Sequence, residues 1–287
     1  MKRTVAVLGL PALLAATTPA AAHVDYVTDD DAGGSAVALF RAVFEKELIL
    51  LRRYWFNTAA GLAANYILFM FVFFGGQEVA PTLIEENLTG IIVGWFVWTM
   101  SWSAFQDSAQ TLKREASWGT LEQTYMSPLG LLWVLVARII VQLLFTVLTG
   151  LVMLVLLMAT TGNWIIFDPF TVLPLAVVTM ASATGLGFAF GGLALVYKRI
   201  SSVFLIVQFL LLGAISSPDV AATNALPLSW GVGVLTEAME GGLSLWELPL
   251  VDLAGVTAVA VGYLAVGYVA FRYAVSVAKR RGVMGHY

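Results

Sequence analysis

Apolar residues along this chain come in long runs separated by short charged segments. Six stretches carry no Asp, Glu, Lys or Arg: residues 54–77, 87–106, 139–167, 169–197, 200–218 and 253–271, of 24, 20, 29, 29, 19 and 19 residues. A bilayer hydrocarbon core takes roughly 20 such residues as a helix. One Asp, Lys or Arg at a helix centre costs on the order of 2.5–3.5 kcal/mol. Together the six runs hold 140 residues, too many to be explained by soluble packing. The pattern predicts an all-α, polytopic membrane protein with six transmembrane helices.

The cations sort onto alternate loops. After residue 34 they are Arg41, Lys46, Arg52, Arg53, Lys113, Arg114, Arg138, Lys198, Arg199, Arg272, Lys279, Arg280 and Arg281. All thirteen precede span one, lie between spans two and three or four and five, or follow span six. The other loops hold none of them and carry Glu78, Glu85, Glu86, Asp168, Asp219, Glu237, Glu240, Glu247 and Asp252. Short cytoplasmic loops are enriched in Lys and Arg, so both ends of the six-span unit are expected in the cytoplasm of a cell-membrane protein.

Residues 220–236 are also uncharged but contain Asn224, Pro227, Gly231 and Gly233, which break up a helix. A seventh crossing there would put the cations after residue 271 outside. The segment is therefore expected to be re-entrant or interfacial, on the external side between helices five and six.

Residues 1–34 read differently. Lys2-Arg3, an apolar run over 4–14 and Pro19-Ala20-Ala21-Ala22 have the chemistry of a secretory signal. A working signal would invert everything after it and expose thirteen cations on the wrong face. Three resolutions stay open: an extra span, a segment that does not cross, or a translation start set too far upstream. Residues 1–34 are set apart as an appendage, 35–53 as an interfacial helix and 54–287 as the six-span domain.

In 35–53, Val37, Phe40, Phe44, Leu48 and Leu51 recur at steps of three and four, with Glu45, Lys46, Arg52 and Arg53 off the stripe. Such a helix can lie on membrane lipids with its cations near anionic headgroups. It reads equally as a plain juxtamembrane anchor. The loop between spans two and three, residues 107–128, suggests two helical pieces. Gly119 ends the first, Thr120 and Gln123 fit a reciprocal cap for the second, and Pro128 limits that one to about two turns. This short helix would present Leu121, Tyr125 and Met126 to a groove and Glu122 to a polar partner. A capped connector without further role is the alternative.

Composition narrows the chemistry. Charged residues make up 11% of the chain and apolar ones 60%, against roughly 25% and 45–50% in soluble domains. There is no cysteine, and the two histidines, His23 and His286, sit near opposite ends. Disulfides, thiolate metal sites and central imidazole chemistry are thus excluded. No enzyme activity, cofactor, metal site or nucleic-acid partner is expected. A P-loop needs Gly-Lys before Ser or Thr, but the five lysines follow Met1, Glu45, Leu112, Tyr197 and Ala278. Asn65, Gln142 and Gln208 are expected to bond between helices. Trp95, Trp98 and Trp102, and Gly185, Gly187, Gly191 and Gly192, are expected to serve packing.

The string from Arg114-Glu115 through Gly119-Thr120-Leu121-Glu122, followed by Met126-Ser127-Pro128, resembles the coupling-helix region of type-2 ABC transporter permeases. The six-span layout, the leading amphipathic helix and, weakly, the basic and glycine-spaced ending over 278–287 are also similar to that family. The resemblance covers roughly residues 36–287, and residues 1–34 have no counterpart in it. It implies a six-helix permease that pairs with a second copy or a paralogue. A separate cytoplasmic ATP-binding cassette ATPase would dock at Arg114, Glu115, Gly119, Thr120, Leu121, Glu122 and Met126. It further implies an exporter, and the paucity of charge in the spans suits an amphipathic or lipid-like cargo. The rival class is an ion-coupled secondary transporter, which normally keeps ionisable side chains inside its spans. An intramembrane protease fits less well, because no Ser-His dyad and no pair of intramembrane aspartates is present.

Overall fold

The computed structural model describes residues 36–118, 131–197, 201–215 and 221–280. Among them all regular structure is helical: α1 (Ala36–Arg53), α2 (Trp55–Val79), α3 (Pro81–Glu86), α4 (Leu88–Trp118), α5 (Leu131–Thr161), α6 (Pro169–Val196), α7 (Ser201–Ala214), a 3-10 turn (Ala221–Ala225), α8 (Ser229–Gly241) and α9 (Leu250–Arg280). Five segments are long and apolar enough to cross a bilayer: Trp55–Val79, Leu88–Ala109, Ala137–Thr161, Pro169–Ala194 and Leu250–Val277. The protein is therefore all-helical, with the make-up of a multi-pass membrane protein.

Three boundaries depart from the apolar runs. The run over 139–167 is a helix only to Thr161, because Gly162 takes a left-handed φ of 72°, which glycine adopts without steric cost. The chain then stays irregular until Asp168, whose carboxylate accepts from the Phe170 amide ahead of Pro169 at the first helical position. The run over 200–218 yields α7, a 14-residue helix. At 1.5 Å per residue it spans about 21 Å, short of the ~30 Å hydrocarbon core. Conversely, α4 runs past its apolar window at Ala109 to Trp118 as one helix.

Contacts between glycines and neighbouring backbones fix the directions of the helices. A Cβ on Gly187 of α6 would lie 2.8 Å from the Phe105 carbonyl oxygen of α4, and Asn163 ahead of α6 donates to Thr89 at the start of α4 (3.3 Å). Gly185 abuts Tyr263 and Leu264 of α9, and Gly192 abuts Ala274 and Phe271. Thus α4, α6 and α9 run parallel, with α6 in the middle. Helix α5 runs antiparallel to α4, since Gln142 bonds Asp107 whereas Gly150 meets Met100 and Phe96. Helix α7 is also antiparallel to α4: Phe204 meets Phe105, Gln208 meets Trp98 and Ile215 meets Gly94. The described cations therefore gather at one end of the bundle, called here the basic end, and the described acidic loop residues at the other.

Burial is uneven. Two-thirds of the α4 window is buried, against 11% of the α2 window. Helix α2 is peripheral, with Ile67, Phe71, Val72 and Phe74 exposed. Large apolar side chains on α5, α7 and α9 are exposed as well, a periphery that suits lipid or a partner helix rather than water. Residues 36–53 are helical as α1, and Phe44 of the apolar stripe faces protein, stacking on Phe145 of α5 at 5.7 Å.

Candidate functional site

Two of the sequence-derived docking residues lie at the basic tip of α4. Arg114 and Glu115 fall in its last two turns. Gly119, Thr120, Leu121, Glu122 and Met126 lie outside the described residues, as does the segment 1–34. The arm that carries Arg114 and Glu115 extends from a helix anchored at the basic end of its apolar window. The Gln142 side-chain amide donates to Asp107, and Gly187 lets α6 close on Phe105 and Ser108. Between Ala109 and Trp118 the helix continues for nine residues, about 13 Å.

Inside the bundle, neutral polar groups join helices rather than forming a reactive centre. Trp95 Nε1 donates to Asn65 Oδ1 (2.8 Å), Asn65 Nδ2 donates to Thr99 Oγ1 (3.4 Å), and that hydroxyl donates to the Trp95 carbonyl (2.8 Å). Tyr66 and Thr160 share a hydrogen bond between α2 and α5. Asn65 and Gln142 thus bond between helices as their chemistry suggested. Gln208 contributes its backbone carbonyl, which accepts from Trp98 Nε1 at 3.4 Å. Trp95 and Trp98 are fully packed, and Trp102 stacks on Phe105 at 5.4 Å. Among the described residues no group of three His, Asp or Glu side chains is arranged to hold a metal ion.

The segment 220–236 supplies the least expected geometry. Gly231 and Gly233 do not interrupt a helix; both lie inside α8. The break comes earlier, at Leu228, whose φ is 74°, a region that costs a branched side chain appreciable strain. Gly231 instead permits contact: Thr179 of α6 occupies the space a Cβ would need. Trp230 packs over Gly255 and its Nε1 donates to Asp252 Oδ1 (3.1 Å). On the α4 side, Val232 faces Gly94 and Thr236 faces Gly90. Helix α8 therefore lies among the acidic-end halves of α4, α6 and α9, and its Val232, Leu235, Ala238 and Met239 are buried.

Outside the spans, Glu247 accepts from the amide and hydroxyl of Ser244 (both 2.7 Å). Those two hydrogen bonds, the amide's first, hold its carboxyl below the usual carboxylate range. Arg41 is pushed above its ordinary value by its hydrogen bond and charge attraction to Glu45 at 2.7 Å.

Compared with protein-family models, with curated proteins and with solved structures, the chain matches none. What can be read about function rests on the arm at α4, the polar seams and the buried helix α8. Of these, α8 was the one sequence reasoning undervalued. The available signal was the spacing of Leu228, Val232, Leu235 and Met239, a helical stripe continuing past the supposed breakers.

Proposed function

We propose that this chain is the membrane-spanning subunit of an ATP-driven exporter whose ATPase is a separate cytoplasmic ABC subunit. In this reading α2, α4, α5, α6, α7 and α9 are the six spans. Helix α1 is an interfacial elbow, α8 is re-entrant from the external side, and the basic end faces the cytoplasm. A second permease copy or a paralogue completes the path.

The observation that carries the proposal is the unbroken run of α4 from the packed interior to Trp118. A rigid rod leads directly into the Gly119-Thr120-Leu121-Glu122 string. Motion imposed at that string would be transmitted along α4 to α6 through Gly187, and from α6 to α9 through Gly185 and Gly192. Tight backbone contacts of this kind convey displacement because packed interiors are stiff.

The alternative is an ion-coupled secondary transporter. Its foothold is Asp107, a half-buried carboxylate facing Gln142 inside an apolar window. The remaining acidic and basic residues of the five windows, Glu78, Arg138, Asp252 and Arg272, lie, like Asp107, toward the window ends, where long side chains reach water by snorkelling.

The test is co-purification of the chain with the ATPase encoded beside it. Glu122→Arg is expected to abolish association while insertion is retained. Retained association with Glu122→Arg would remove Glu122 from the contact. Transport that runs on an ion gradient, ignores Glu122→Arg and stops in Asp107→Asn would establish the alternative.

A further inference from the structure

Helix α1 meets the bundle through its apolar stripe. It packs on α5, and Phe44 stacks on Phe40 of its own helix and on Phe145 of α5, at 6.4 and 5.7 Å. Phe40, Val43, Phe44, Leu48 and Leu51 are all half-buried, at the steps of three and four that put them on one side of a helix.

The other side carries the charge. Arg41, Lys46, Arg52 and Arg53 are exposed, together with a single carboxylate, Glu45. That carboxylate is engaged by Arg41 at 2.7 Å, and Glu47 is half-buried with the apolar stripe. Lys46, Arg52 and Arg53 therefore have no carboxylate partner among the described residues. Ile49, 62% exposed, stands among them. Lys46, Ile49 and Arg53 follow steps of three and four, so they form one outward stripe whose two cations are about 10 Å apart along the axis.

This face sits at the edge of the apolar layer. Asn65 of α2 reaches Thr99 of α4 while Phe69 packs on Trp95, so the two helices run in opposite directions. Trp55 lies fourteen residues before Phe69, and Ala109, where the α4 window ends, lies fourteen after Trp95. Each interval spans about 21 Å. Trp55, with Arg52 and Arg53 just ahead of it, is thus level with the basic end of that window. Tyr54, Trp55 and Phe56 are exposed there, and the Arg53 guanidinium lies 5.8 Å from the centre of the Tyr54 ring. Exposed rings beside cations suit the level of the lipid headgroups.

We propose that the outward face of α1, with Lys46, Arg52 and Arg53 around Ile49, docks anionic phospholipid headgroups of the leaflet at the basic end. Charge complementarity decides the occupant. Three cations without carboxylates, held at headgroup level, match lipids of net negative charge, and the guanidinium fork takes phosphate oxygens in pairs. Ile49 reaches the boundary between headgroups and acyl chains, as apolar side chains of interfacial helices do. The stacking of Phe44 on Phe145 fixes α1 to α5, so the cations form a surface of set geometry. The proposal needs a bilayer and does not depend on the exporter reading.

The test places a fluorophore on the face itself. Because the chain has no cysteine, the full chain carrying Ile49→Cys is labelled at that one position and reconstituted into phosphatidylcholine vesicles. A minor fraction of the lipid is nitroxide-bearing phosphatidylglycerol in one sample and nitroxide-bearing phosphatidylcholine in the other. Each cation held at an anionic surface favours the anionic lipid by about fivefold. Quenching by phosphatidylglycerol is therefore expected to exceed that by phosphatidylcholine about threefold or more in low salt. The excess should vanish near 1 M salt, where screening acts within about 3 Å, and in Lys46→Gln/Arg52→Gln/Arg53→Gln. The same label at Val261→Cys, exposed in the middle of α9, should show no excess. Equal quenching at position 49 overturns the proposal, as does an excess that survives high salt or the triple substitution. Loss of the excess on adding inorganic phosphate at matched ionic strength would assign the cations to a soluble anion and overturn it too. The salt comparison leaves every cation in place, so it decides even where the triple variant fails to insert. No readout involves the ATPase, and a failed co-purification would sink the exporter reading alone.

Discussion

The carbonyl oxygen of Gly185 on α6 lies where a Cβ on Gly267 of α9 would have to be. The two parallel helices therefore meet backbone to backbone. In a bilayer, where burying apolar surface gives little drive between helices, such contact supplies packing and weak Cα–H bonds instead. Gly267→Ala is expected to force α6 and α9 apart and to destabilise by about 1–3 kcal/mol, the usual cost of overpacking. Gly262→Ala on the same helix, with open space around its Cα, is the control and is expected to leave stability unchanged. Thermal unfolding of the two variants in nanodiscs checks this, and equal Tm values would show that the close approach carries no stability.

Helix α2 is mostly exposed and is held to α4 by Asn65, whose amide engages both Trp95 and Thr99. Polar bonds between transmembrane helices average about 0.6 kcal/mol and reach about 1.7. A double-mutant cycle of Asn65→Ala with Trp95→Phe should return a coupling within that range. A coupling indistinguishable from zero would mean that α2 is held to α4 by apolar contact, such as Phe69 stacked edge-on against Trp95 at 5.3 Å, and not by the Asn65 hydrogen bond.

Much of this architecture was legible in the residues. The uncharged runs located five long helices because twenty apolar residues without a charge have few other uses. The glycines at 185, 187 and 192 announced close helix approach, since they sit among bulky residues where only a missing side chain admits a neighbour. Residues 200–218 looked like a full span, and α7 occupies Ser201–Ala214 of them, with 198–200 and 216–220 outside the described residues. One feature was hidden. Gly231 and Gly233 looked like breakers by propensity, yet tertiary contact with Thr179 overrides the cost of about 1 kcal/mol that glycine carries in a helix. The string over 119–126 was legible as a motif only, and it lies outside the described residues.

The Ser244-Leu245-Trp246-Glu247 turn should open in acid. The Glu247 carboxyl is held below the usual range by the Ser244 amide and hydroxyl. A carboxylate depressed in the folded state contributes stability above its unfolded pKa, and that contribution is lost as pH falls through the folded pKa. The turn is thus expected to be intact at pH 6 and to open below about pH 4. A fluorinated tryptophan at position 246, 91% exposed beside the carboxylate, would report the transition by NMR. Glu247→Gln should show no such step. A step that persists in Glu247→Gln would assign it to another group.

The sidedness of the bundle can be read directly because the chain contains no cysteine, so single introduced thiols face no background. Helix α9 runs parallel to α4, whose start lies beside Asn163 at the acidic end. Trp246, just ahead of α9, therefore emerges at that end, whereas Ala42 on α1 lies toward the basic end, two residues from Phe44 and its contact with α5. Thirteen cations against none set the expected orientation, since carrying Lys and Arg across a bilayer is costly and short cytoplasmic loops retain them. Trp246→Cys should react with a membrane-impermeant maleimide in intact cells, and Ala42→Cys only after permeabilisation. The reverse pattern would invert the bundle, put the tip of α4 outside and leave a cytoplasmic ATPase nothing to grip.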